Sequence, residues 1–214
     1  MFLFTKKFIV SFMFLLGAIM LSNSIYAADS VNTKASQTLF ELINQIKSMK
    51  ADFTQTLINK NQNIKQVSNG EMWISKPSNF KWETLSPNKQ LLISNGNKLW
   101  NYDEDLEQVT VQPVPNDIST APYLLLLTGT ESALSKLFNV QQISEGKFRL
   151  TPKLADQSML SHVDMVFDDD ILQSLTIQTE VGQKSTIIFS NQKMVDIPQR
   201  AFEFIPPKGV DVLG

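Results

Sequence analysis

The chain has 214 residues, enough for one domain of ordinary size, and its 43% hydrophobic and 19% charged content fits a packed core rather than a disordered chain. A formal net charge of −2 argues against nucleic acid, which needs a basic footprint, and against tight adhesion to anionic membrane surfaces. The absence of cysteine excludes disulfides, thiol catalysis and a lipidated N-terminal Cys, so the chain is expected to travel in solution, without stable membrane insertion.

Residues 1–27 read as a secretory signal peptide. Lys6 and Lys7 form a positive start, Phe8 to Leu21 an apolar run, and Ser22 to Ala27 a small-residue exit. The 14-residue run is short for a transmembrane helix, which needs about 20 residues. Cleavage after Ala27 leaves a single domain, 28–214, outside the cytoplasm. Loss of the two signal lysines leaves 17 basic against 21 acidic residues, a net charge of −4.

The mature chain is predicted to open with a helix over Thr33 to Met49. Ala35, Leu39, Leu42, Ile43, Ile46 and Met49 form one stripe of a 3.6-residue period, and Ser30 is a candidate N-cap. Strands follow in antiparallel hairpins. Asn95-Gly96 separates Gln90–Ser94 from Asn97–Tyr102, and both turn positions tolerate positive φ. Glu145-Gly146 precedes a strand over Lys147–Thr151. Asp168-Asp169-Asp170 separates Ser161–Phe167 from Ile171–Thr179, and Val181-Gly182 leads from there to Lys184–Ser190. Short strands at this spacing imply an antiparallel sheet or barrel.

Ile118 to Phe138 interrupts the strands and reads as two short helices. Tyr123 to Leu127 is apolar all round, and Thr128-Gly129-Thr130-Glu131 matches a capping box for the second helix. An amphipathic first helix and an apolar helical pair need a surface to cover, and the concave face of a curled sheet supplies one.

No catalytic constellation is apparent. The one histidine, His162, sits in a strand-like stretch without a nucleophile elbow or metal spacing. The Asp168-Asp169-Asp170 run lacks the Gly and distal Glu of a calcium loop and reads as a solvated turn. No phosphate-binding or dinucleotide glycine pattern occurs, so neither a cofactor nor a metal is expected, and the chain does not read as an enzyme. What remains is apolar surface. Phe53, Met72, Ile74, Phe80, Trp82, Leu91 and Ile93 alternate along the early strands. An ordinary sheet core under helices is the commoner cause of such alternation; a lined cavity is the other.

Two long segments carry a resemblance. GEMWISKPSNFKW (Gly70 to Trp82) and PNKQLLISNGNKLWNYDEDLEQVTV (Pro87 to Val111) resemble the outer-membrane lipoprotein carrier family, LolA. Phe53-Thr54-Gln55 is similar to that family's first strand, Ile118 to Leu127 to its helical lid, and PPKGVDV (Pro206 to Val212) to its C-terminal signature. The resemblance implies a mainly β (α+β) fold: an incomplete antiparallel β-barrel with a helical lid covering a hydrophobic cavity. It implies a monomeric periplasmic chaperone that takes triacylated lipoproteins from an inner-membrane ABC transporter and delivers them to an outer-membrane lipoprotein receptor. A carrier of another lipid, a glycolipid or a fatty acid, is the alternative on the same fold.

On this reading Phe53, Met72, Ile74, Phe80, Trp82, Leu91 and Ile93 line the acyl-chain cavity, and Leu124, Leu125 and Leu127 belong to the lid. Phe80, three residues after Pro77, is expected near the rim, where Phe80→Glu still folds. Many members of the family carry Arg where this chain has Lys76, and there the basic residue contacts lid backbone. Lys offers a single mobile ammonium in place of a planar fork of five donors, so a lid held less firmly is expected.

Overall fold

The computed structural model describes residues 24–61, 63–114, 131–154 and 158–214. Their order is helix α1 (Ser24–Gln45), then six strands: β1 (Ser48–Ile58), β2 (Ile64–Ser75), β3 (Asn79–Ser86), β4 (Gln90–Asn95), β5 (Lys98–Asp103) and β6 (Gln108–Pro113). Helix α2 (Glu131–Leu137) follows, and then β7 (Phe138–Ser144), β8 (Lys147–Pro152), β9 (Leu160–Asp168), β10 (Ile171–Thr179) and β11 (Lys184–Met194). A 3-10 turn (Gln199–Phe202) and a short strand β12 (Asp211–Leu213) end the chain.

One 12-stranded sheet has the order β12-β6-β5-β4-β3-β2-β1-β11-β10-β9-β8-β7. Every neighbour pair is antiparallel except β12 and β6, which run parallel. The sequence carries no signal for that last pair, because β12 is only three residues long and wholly exposed. β1 lies at the centre and joins the two halves, pairing with β2 on one side and β11 on the other.

The predicted hairpins form where the turn chemistry puts them. Asp169 and Asp170 both have positive φ, 46° and 63°, which is the conformation a two-residue type I′ hairpin requires. Gly96, at φ 91°, turns β4 into β5.

The first helix departs from its predicted bounds at both ends. It runs through Ser30, which therefore does not cap it, and it ends at Gln45. Met49 belongs to β1 instead. The apolar stripe continues across that boundary because Ile46 and Met49 are buried in the same core as Leu39 and Ile43. A helical period cannot mark where a helix stops if the following strand buries its side chains in the same place.

The sheet curls, and its concave face is the core. Paired residues of an antiparallel ladder point to the same face. The pairings Ala51↔Met72, Met72↔Trp82 and Phe53↔Phe189 therefore set these side chains on one side. Ile187↔Leu175, Leu175↔Met165 and Met165↔Phe148 carry that face to β8. α1 covers it with Ala35, Leu39, Leu42 and Ile43, all buried, and packs against α2 and β7.

The outer face has its own cover on one half. The 3-10 turn packs on β3 and β4, and Asn79 and Gln199 exchange two amide hydrogen bonds, at 2.7 and 3.2 Å. Phe204 lies against Trp100 and Tyr102, with ring centroids 6.4 and 5.7 Å apart. Elsewhere the outer face is mostly polar, with Arg149 donating to both carboxylate oxygens of Asp164 at 2.7 and 2.8 Å, though Ile188 and Trp73 also lie on it.

Candidate functional site

The concave face is the candidate lipid site, and its centre is aromatic. The rings of Phe53 and Trp82 stack with centroids 3.8 Å apart and planes 25° from parallel, and Phe80 lies 6.3 Å beyond Trp82. Gly70 makes the stack possible. It pairs with Phe53 across the β1–β2 ladder, and a Cβ there would overlap the Glu83 carbonyl oxygen and come within 2.7 Å of the Phe53 ring. Backbone here passes directly under the aromatic ring, so the position needs the one residue without a side chain.

Of the seven expected cavity residues, five share this face. Phe53, Met72, Ile74 and Phe80 are fully buried in the core cluster, and Trp82 is packed against it partly exposed. Leu91 and Ile93 are on the other side of the sheet. The register Phe80↔Ser94 and Trp82↔Leu92 turns the even-numbered residues of β4 inward, so Leu92 and Ser94 take the concave positions. Ile93 is buried beneath the outer cover over β3 and β4 instead. In a strand with apolar residues at three successive positions, Leu91, Leu92 and Ile93, alternation alone cannot choose a face. Nor is Phe80 at a rim: it is fully buried, in the pair with Ile74 near the end of the sheet closed by α1. An ionised carboxylate there would be buried without a partner, so Phe80→Glu is not the benign change expected.

The other half of the face was not among the expected cavity residues. Val163, Met165, Phe167, Leu175, Ile187 and Phe189 are buried in the same cluster. Their alternation is the signal that marks them, and only pairing across β1 joins them to the early strands. Leu124, Leu125 and Leu127 lie outside the described residues.

Lys76 closes one end of the site. Its Nζ donates to the carbonyl oxygen of Ile43, 2.7 Å away, in the last turn of α1. That oxygen also accepts from the Ile46 N–H at 3.2 Å, and it lies at the negative end of the helix dipole, which favours a cation. Burial, and then the nearby Lys47 charge, lower the Lys76 pKa from 10.5 to about 8. The basic residue therefore holds a helix by its backbone, and the helix it holds among the described residues is α1.

His162 sits beside the Arg149–Asp164 ion pair, and burial and the Arg149 charge lower its pKa. Among the described residues no group of three metal-ligating side chains occurs, and no helix is long and apolar enough to cross a membrane.

Comparison with known proteins agrees with this architecture. The model of the family described as outer membrane lipoprotein carrier protein LolA matches residues 44–205. An outer-membrane lipoprotein carrier protein of Francisella tularensis subsp. novicida is 38% identical over 210 residues, covering 97% of both chains. A protein of the same description from Chromohalobacter salexigens is 34% identical over 185 residues, covering 85% of this chain and 87% of its own. Among solved structures, an uncharacterized conserved protein from Thermus thermophilus superposes with a TM-score of 0.53 at 11% identity, covering 84% of this chain and 98% of that one. With a curled, helix-covered sheet in place and a family match that spans β1 to β11, the chain belongs to the outer membrane lipoprotein carrier protein LolA family.

Proposed function

We propose that the protein is a periplasmic chaperone that carries the acyl chains of lipoproteins from the inner membrane to an outer-membrane receptor. The observation that carries this reading is the continuous apolar concave face, running from Met72 through Phe53 and Phe189 to Met165 and Phe148, beneath a helix pinned by Lys76. Each buried CH₂ is worth about 0.8 kcal/mol, so several acyl chains hold a lipoprotein in a bilayer almost irreversibly, and only comparable apolar burial can hold it in water.

A core already packed under α1 makes a poor open cavity but a good closed one. Lifting α1 exposes Leu39, Leu42 and Ile43 and the face beneath them together. Cargo chains entering that space replace helix contacts with chain contacts, so the exchange is close to balanced and release remains possible. The reading makes the protein a carrier rather than an enzyme. It needs an inner-membrane ABC transporter to supply energy at loading and a receptor that binds the chains more tightly at delivery. Signal cleavage after Ala27 is part of the reading, and it leaves the buried stripe of α1, from Ala35 onward, intact.

The test is to offer the purified mature protein to spheroplasts. Lipoproteins should leave the inner membrane and appear in the soluble fraction bound to it. Retention of every lipoprotein in the membrane would overturn the proposal, and recovery of a glycolipid or fatty acid as the sole ligand would support the alternative lipid carrier.

A further inference from the structure

The concave face changes character part-way along four neighbouring strands, one ladder row later on β1 and β2 than on β3 and β4, since Phe53, Gly70, Thr84 and Gln90 share one row. On β1, Phe53 gives way to Gln55; on β2, Gly70 gives way to Ser68 and Gln66; on β3, Trp82 gives way to Thr84; on β4, Leu92 gives way to Gln90. The ladder pairs Gln55↔Ser68 and Thr84↔Gln90 keep these polar side chains on the same face as the aromatic stack. Together with Asn88 they line a hollow of about 450 Å3, in which Leu57 is the single apolar side chain among the described lining residues. It opens at the end of the sheet away from the Lys76–Ile43 contact, since β1 runs from Ser48 near that contact to Ile58.

The hollow is open to solvent: of its polar side chains Ser68 is buried, Gln55 and Thr84 are half-buried, and Gln66, Asn88 and Gln90 are exposed, so it forms a polar mouth adjoining the apolar face. These side chains are also organised. Gln55 donates to Ser185 at 2.7 Å, Gln66 to Ser68 at 3.0 Å and Gln90 to Asp103 at 3.0 Å. Each bond fixes an amide and leaves it further donor and acceptor capacity. None of the described lining side chains is charged. A phosphate or carboxylate head would find no countercharge among them. Ester and amide groups, uncharged and able to accept from amide N–H and hydroxyl donors, match this shelf.

We infer that this shelf seats the uncharged ester and amide groups at the head of an acylated N-terminus, while the attached chains enter the apolar half beyond Phe53 and Trp82. The inference rests on the carrier reading above and adds to it a polar subsite that discriminates between lipids. The carrier then recognises the join between chain and peptide, and its preference for an acylated peptide over a bare fatty acid comes from the shelf.

The experiment compares two ligands on the mature protein: palmitate, and a synthetic peptide whose N-terminal cysteine carries a diacylglyceryl group and an amide-linked acyl chain. The variant Gln55→Leu/Gln66→Leu/Thr84→Val removes three of the shelf's six polar side chains at nearly constant volume. It should weaken lipopeptide binding roughly tenfold or more and leave palmitate binding within about twofold. If the triple variant does not fold, Gln66→Leu alone, at an exposed position, should still weaken the lipopeptide selectively. Unchanged lipopeptide affinity, or equal weakening of both ligands in a folded variant, would overturn the inference. Failure of the unaltered protein to bind the lipopeptide at all would instead overturn the carrier reading on which it stands.

Discussion

Lys76 Nζ and the Ile43 carbonyl oxygen stand 2.7 Å apart, and through them the loop after β2 grips the last turn of α1. An ammonium in that position is half withdrawn from water, and Lys47 lies close enough to oppose its charge. The contact is consequently one that pH can tune.

With α1 seated, Lys76 titrates at about 8 rather than 10.5, mainly because of burial. Between those two values the seated state binds fewer protons than a state with the ammonium back in water. Raising the pH through that window therefore stabilises the seated state; below about 8 the desolvation cost is present in full. Thermal unfolding of the unaltered protein, compared with Lys76→Met from about pH 7 to pH 10, should shift in favour of the lysine protein as pH rises. Lys76→Arg stays charged throughout and should show no such gain. A pH-independent difference between the lysine and methionine proteins would refute the assignment.

Gly70→Ala should destabilise the fold by about 1–3 kcal/mol, as an added methyl in a tightly packed site does. The new Cβ meets the Glu83 carbonyl and the Phe53 ring. Replacing Phe53 by Leu in the same chain relieves one of those contacts, so urea unfolding of the four proteins in a double-mutant cycle should give less than additive loss. Full additivity would mean that ring and glycine do not share the space.

Leu39 is fully buried in the centre of the α1 stripe. Truncation to Ala should cost about 2–5 kcal/mol in denaturant midpoint analysis. If α1 is the moving cover, Leu39→Ala should also speed the uptake of a fluorescent fatty-acid probe in stopped-flow measurements. A slower or unchanged uptake rate in a folded Leu39→Ala protein counts against a moving α1.

Trp82 and Ile93 separate the two faces of the sheet. Ile93→Ala should lower stability, since the side chain is 3% exposed under the outer cover, yet leave acyl-probe affinity unchanged. Trp82→Ala removes half of the aromatic stack on the concave face and should alter probe affinity severalfold. Equal effects of the two changes on probe affinity would show that the faces have been misassigned.

Much of this architecture is readable from the chain alone, because hairpin turns are local. Asn95-Gly96, Glu145-Gly146 and Asp168-Asp169-Asp170 mark their bends with residues that accept positive φ, and five strands follow from their spacing. The face assignments divide by the same logic. Phe53, Phe80 and Trp82 alternate with polar neighbours and fall on one side, and Met72 and Ile74 fall with them although Trp73 stands between them. Leu91-Leu92-Ile93 gives no such contrast, and only the β3–β4 ladder decides between them. The family resemblance singles out Lys76, but Ile43 as its acceptor is beyond its reach: a backbone carbonyl 33 residues away leaves no trace in composition or period.

Among the described residues the sheet is a strip, not a ring: β7 and β12 each have a strand neighbour on one side only. In a closed barrel, strand number and shear together fix the radius. A strip has no such condition to satisfy: its two borders can draw together or spread while every ladder bond between them stays intact. On the carrier reading, girth is then a soft variable set by whatever fills the bore, and passengers of differing thickness would need no rebuilt backbone.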